Sequence, residues 1–138
     1  MDKLTVAERS RLMSLVRSKG TAPEMLVRRV IHRMGYRYRL HVSDLPGKPD
    51  LVFPGRSKII LVHGCFWHGH TCRHGQKRPA ANGSYWTAKL DRNQSRDRSN
   101  RNQLRRLGWD VLVLWECKLK DENKLTESLV RFLGERYE

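Results

Sequence analysis

Apolar residues first recur at helical spacing. Thr5 to Glu8 reads as a capping box, and Leu12, Leu15 and Val16 share one face beyond it until Gly20 ends the helix. A second helix opens at Thr21-Ala22-Pro23-Glu24, where proline suits the first turn. Leu26, Val27, Val30, Ile31 and Met34 carry its apolar face to Gly35. Tyr36 to Val42 then alternates apolar and polar residues, which predicts a half-buried strand. Leu45 to Pro49 is a turn, Asp50 to Phe53 a short strand, and Pro54-Gly55 a second turn. Lys58 to His63 is a strand with a continuous apolar run, the pattern of a sheet covered on both faces.

The pattern breaks at Gly64. Through Ser84 the chain reads as a loop too long to be mere connection. A helix follows from about Tyr85 to Leu107, and its middle, Asp91 to Gln103, has no large apolar residue. That stretch is solvated or faces a polar ligand. Trp109 to Trp115 is a strongly apolar strand, Lys118 to Asn123 a polar loop, and Leu125, Leu129, Phe132 and Leu133 define a closing helix. The expected architecture is α/β: a mixed central sheet flanked by helices, in a single domain over residues 1–138.

Charge narrows the partner. Lys and Arg number 28 against 14 acidic residues, a formal charge of +14, which points first to nucleic acid. The bland alternative is a basic protein with no particular partner. The first helix is basic (Arg9, Arg11, Arg17, Lys19), either for packing or as an arm over residues 1–19 laid on phosphates. Arg92, Arg96, Arg98 and Arg101 on the long helix also suit phosphates. No stretch is long and apolar enough to span a membrane, and no signal peptide is evident at the N-terminus. Three cysteines cannot all pair within one chain, so metal or thiol chemistry in a reducing cytoplasm is expected.

Two sites stand out. Cys65, His70 and Cys72, joined by Cys117 at the end of a core strand, offer three thiolates and one imidazole. That set fills a tetrahedron and suits a structural Zn²⁺, with the loop over residues 64–84 ordered around it. The alternative is buried free thiols. The second site starts from Asp50, whose carboxylate can hold Mg²⁺. If the hairpin pairs its strands, His63 sits near it and can move a proton near neutral pH, as can His68. Glu24 stands three residues after Thr21, and capping is its preferred reading on sequence alone.

These residues resemble the very-short-patch-repair DNA mismatch endonucleases over nearly the whole chain. The resemblance rests on Met13, Thr21-Ala-Pro-Glu24, Leu45-Pro-Gly-Lys-Pro-Asp50, and His63-Gly-Cys-Phe-Trp-His68 with His70 and Cys72. It continues through Trp86, Asn93, Arg96-Asp97, Leu107-Gly-Trp109 and Trp115-Glu-Cys117. It implies a fold similar to the restriction-endonuclease core and a nick 5′ of the thymine in T:G mismatches left by deamination of 5-methylcytosine. It implies Asp50 as Mg²⁺ ligand with the Val62 backbone carbonyl, and His68 as general base. His63, Glu24 and Asp97 complete the polar network, and Cys65, His70, Cys72 and Cys117 hold zinc. Glu24 then caps its helix and serves the site as well.

The same resemblance makes Phe66, Trp67 and Trp86 wedges between base pairs beside the mismatch, where unstacking is cheapest. Core packing is the alternative reading for these aromatics, particularly Trp86. Met13 would probe from the minor-groove side, and Lys89 and Asn93, four apart on one helical face, would contact the mispaired bases. Trp109 and Trp115 are assigned to the core. The chain departs from ordinary nucleases of this fold, which carry an acidic residue and a lysine where it has Leu61-Val62-His63. Both His63 and His68 therefore remain candidates for the base. The resemblance further implies a monomer, a bacterial cytoplasm with use on the nucleoid, and contact with general mismatch-repair proteins. Two rivals remain: a non-catalytic zinc module that binds DNA, and a restriction-type nuclease of the same fold.

Overall fold

The computed structural model describes residues 21–65, 68, 70, 72 and 83–134. The expected N-terminal helix with Met13, and the side chains of Phe66 and Trp67, lie outside the described residues.

Helix α1 (Ala22–Arg33) begins at Thr21, whose side chain accepts the Glu24 N–H, with Pro23 in the first turn. Gly35 ends it at φ +93°, a left-handed conformation that glycine adopts without steric cost. The predicted strand over Tyr36 to Val42 shrinks to β1 (Arg39–Leu40). His41 breaks it at φ +47°. The alternation there reflects burial of Tyr36 against the core rather than a long ladder. Strand β2 (Leu51–Phe53) and strand β3 (Lys58–His63) pair antiparallel, with Leu51 opposite Ile60. Helix α2 (Gly83–Arg106) carries the chain to β4 (Asp110–Trp115), which runs parallel to β3. A parallel pair needs a crossover of this kind. Helix α3 (Glu122–Leu133) closes the fold, capped by the Asp121 side chain.

The sheet order is β1-β2-β3-β4, antiparallel except for its last pair. Strand periodicity sends alternate side chains to opposite faces. Ile60, Val62, Leu112 and Leu114 join Val27, Ile31, Leu125, Leu129 and Leu133 on the face covered by α1 and α3. Ile59, Leu61, Val111 and Val113 join Leu104 on the face covered by α2. The apolar run in β3 is thus buried from both sides, as its composition predicts. The fold is the mixed sheet flanked by helices that the pattern implies.

The register places the chemistry. His63 pairs with Trp115 at the ends of the two parallel strands. The chain then leaves β3 through Gly64 and Cys65, and leaves β4 through the 3-10 turn Glu116–Lys118. Carboxyl ends of parallel strands are where loops converge and ligands bind in open α/β sheets.

Candidate functional site

Cys65 and Cys117 are 52 residues apart in sequence and meet beyond these strand ends, where the Cys117 N–H donates to Cys65 Sγ at 3.3 Å. His70 is tied back by its N–H to the Cys65 carbonyl, at 2.9 Å. Donor atoms of Cys65, His70, Cys72 and Cys117 all lie within 4.8 Å of one another, and none of the three cysteines is joined in a disulfide. His70 Nδ1 is 3.5 Å from Cys117 Sγ. In a tetrahedron with Zn–S near 2.3 Å and Zn–N near 2.1 Å, a sulfur–nitrogen edge is about 3.5 Å. The donor set therefore fits a tetrahedral metal. Burial pushes the Cys65 thiol up to about 12, with the neighbouring cysteines adding to the shift. A soft cation among the thiols opposes that cost by stabilising thiolate.

A cleft of about 980 Å³ opens beside this cluster. Along one wall, Asp50 stands just before β2, and its Oδ2 accepts the Val62 N–H at 2.8 Å. Half-burial raises the Asp50 carboxyl to about 6; the nearby Glu24 carboxylate adds to the rise, and the Val62 hydrogen bond opposes it. Glu24, buried on α1, takes His41 Nε2 at 3.0 and 3.2 Å on its two oxygens. Thr21 does cap the helix, at 3.4 Å from the Glu24 N–H. The Glu24 carboxylate, however, is turned into the cleft, so the capping preference described only its backbone.

In the same cleft His68 Nδ1 bonds Asp97 Oδ2, from the polar middle of α2. The His68 N–H reaches the Gly64 carbonyl at 3.2 Å, and Gln94 donates to the His68 carbonyl at 3.4 Å. His63 stacks on His68 with ring centroids 3.8 Å apart and planes 4° from parallel. Burial, and then the neighbouring His68, lower the His63 pKa to about 3, so its ring is neutral at physiological pH. Its Nδ1 is buried with no hydrogen-bond partner among the described residues. Lys89, Asn93, Arg96 and Asn100 line the same cleft from α2.

The structure thus gathers Asp50 with Glu24 and His41, and His63 with His68 and Asp97, around one cleft. His41 is the residue that sequence reasoning missed. In the pattern it was only a polar position of an alternating strand, and its partner Glu24 lies 17 residues away. Trp115, assigned to the core, is instead only half-buried and sits between the two sites. It stacks on His70 at 4.1 Å and stands edge-on to His63 at 5.1 Å. Trp86 is 1% exposed and edge-on to Tyr85.

A family profile described as DNA mismatch endonuclease Vsr matches residues 1–74. The chain belongs to the Vsr family. It is 48% identical over 132 residues to the type II nicking enzyme V.XorIIP of Xanthomonas oryzae pv. oryzae, covering 96% of each chain. It is 39% identical to the type II nicking enzyme V.NmeAIP of Neisseria meningitidis, over 97% of this chain and 95% of that one. It is 38% identical to the DNA mismatch endonuclease Vsr of Escherichia coli, over 88% and 78%. Membership of the Vsr family makes the chain a nuclease that hydrolyses phosphodiester bonds. No helix among the described residues is long and apolar enough to cross a membrane.

Proposed function

We propose that this Vsr-family chain nicks double-stranded DNA 5′ of the thymine in T:G mismatches, using Mg²⁺ at Asp50 and a structural Zn²⁺ at Cys65, His70, Cys72 and Cys117. The observation that carries the reading is one cleft lined both by a carboxylate able to hold a cation and by a His–Asp pair. Asp50 Oδ2 accepts the Val62 N–H. In a strand the N–H and C=O of one residue point to the same side, so the Val62 carbonyl faces Asp50 as a second oxygen donor. Mg²⁺ bound there polarises the phosphodiester and stabilises the charge that builds on it.

His68 is the general base in this reading. Asp97 accepts the Nδ1 proton, which leaves the Nε2 lone pair to take a proton from the attacking water. As the water oxygen bonds to phosphorus, the phosphorus–oxygen bond to the leaving sugar breaks, and that oxygen takes a proton from solvent water while His68 returns its own to solvent. His63 stays neutral by burial, and its stacked ring fixes the plane of His68. Lys89 and Asn93 reach toward the mispaired bases from the cleft wall. The 1–19 helix with Met13, and Phe66 and Trp67, supply the wedge and the minor-groove contact. The 64–84 loop presents those aromatics, and its zinc keeps the loop in register with the cleft. The protein acts as a monomer in the bacterial cytoplasm, on the nucleoid, alongside general mismatch-repair proteins.

The test is cleavage of an end-labelled duplex with one T:G mismatch, in Mg²⁺, beside its T:A control, with Asp50→Ala in parallel. The mismatch is placed in several methyltransferase-site contexts. The expected result is a single nick 5′ of the mispaired thymine, absent from control and variant. Equal cutting of the T:A duplex would make the protein a restriction-type nuclease instead. Mismatch binding with no nick in any context would leave only the zinc module that binds DNA.

A further inference from the structure

His41 has no part in the proposed reaction, yet it lines the cleft beside Glu24 and Asp50. Its Nε2 stands 3.0 Å from one Glu24 oxygen and 3.2 Å from the other. Donor atoms of Glu24, His41 and Asp50 lie within 4.8 Å of one another. The His41 backbone N–H also donates to the Asp50 carbonyl at 3.1 Å, so the residue is fastened to both carboxylate-bearing segments. It does this at φ +47°, a conformation that costs a residue with a Cβ.

We propose that Glu24, His41 and Asp50 form a mixed nitrogen–oxygen site for a first-row divalent cation, with His41 Nε2 as a direct ligand, so that the cleft takes Mn²⁺ in preference to Mg²⁺. The inference rests on the reading of Asp50 as a cation ligand and adds the imidazole and Glu24 to it. Adjacent ligands of an octahedral ion at about 2.1 Å are about 3.0 Å apart. The spacing of His41 Nε2 and Glu24 Oε1 already matches that edge. Asp50 Oδ2 is engaged by Val62, which orients the carboxylate and leaves its other oxygen for the ion. Imidazole favours transition metals, while Mg²⁺ prefers oxygen and keeps its waters. A wall of carboxylates alone would not make that distinction.

The test uses the full chain with its cysteine site loaded with zinc, and Mn²⁺ as the probe. Pulsed electron paramagnetic resonance reads nitrogen coupling to Mn²⁺, and competition with Mg²⁺ gives relative affinity. Nitrogen coupling is expected in the parent and absent from His41→Asn. Asparagine tolerates the left-handed backbone, so the fold is kept and only the imidazole is lost. In that variant Mn²⁺ affinity should fall roughly tenfold or more with Mg²⁺ affinity little changed. Mn²⁺ binding without nitrogen coupling, or coupling that survives His41→Asn, overturns the inference and leaves the Asp50 reading standing. Mn²⁺ binding undiminished by Asp50→Asn overturns the Asp50 reading itself.

Discussion

At the cysteine cluster, four donors lie within 4.8 Å of one another; in the cleft beside it, carboxylates and imidazoles face an open space of about 980 Å³. The two are only a few residues apart in the chain, since His63 and His68 bracket Cys65. Chemistry separates them. Thiolates are soft and suit a closed tetrahedral site, whereas carboxylates suit a hard ion that keeps positions for water and phosphate. Trp115 is the wall between them, packed on His70 on one side and against His63 on the other. On the function proposed above, one site supplies order and the other supplies reaction, and the tryptophan touches both.

That division breaks most visibly at His68. His68→Ala should lower the nicking rate about 10³-fold with mismatch binding kept, and Asp97→Asn should approach it by disturbing the tautomer. Single-turnover rates check this; a His63→Ala loss equal to that of His68→Ala would move the base to His63. At the other site, removal of zinc by strong chelation, or Cys65→Ser, should cost several kcal/mol of stability and slow nicking through the loosened Trp115. Thermal melts and nicking after Mg²⁺ is restored measure both; an unchanged melt and rate would dissolve the structural role.

Protons sharpen the comparison next. The Asp50 carboxyl is raised from 3.8 to about 6. A raised carboxyl contributes stability that is fully present below the unfolded value and lost as pH rises through the folded one. The metal-free protein should therefore lose up to about 3 kcal/mol between roughly pH 4 and 6 from this group. Mg²⁺ needs the ionised form, so its affinity should fall about tenfold per pH unit below 6 and level off above. Denaturant melts and Mg²⁺ titrations across pH test both signs together, and the zinc-dependent part of stability should not follow that curve.

Smaller effects concern the frame. A Cβ at Gly47 would stand 2.7 Å from Asn100 Nδ2 and 3.1 Å from its Cβ, at φ +77°. Gly47→Ala should cost about 1–2 kcal/mol and shift the turn that delivers Asp50, lowering nicking without touching the cysteine site. Replacing Arg98 on the exposed face of α2 should weaken binding to all duplexes alike and flatten the salt slope by about one unit. A sequence-dependent loss on Arg98→Ala would assign it base contact instead.

The sequence by itself determined the element types, both faces of the sheet, the zinc-ligand set as a chemical possibility and Asp50 as a candidate cation ligand. Those are local or compositional: periodicity reports which face is buried, and donor type reports which ion is suited. The polar middle of α2 was legible as a stretch that is solvated or faces a polar ligand, and one side of it lines the cleft. Tertiary structure alone decided the rest. The β3–β4 register brought Cys117 to Cys65 and set Trp115 beside His63. The fold turned Glu24 from a cap into a partner of His41, and a left-handed backbone cut β1 short to aim that histidine. It also buried Trp86. Each of these depends on which distant residues become neighbours, and neither spacing nor composition carries that information.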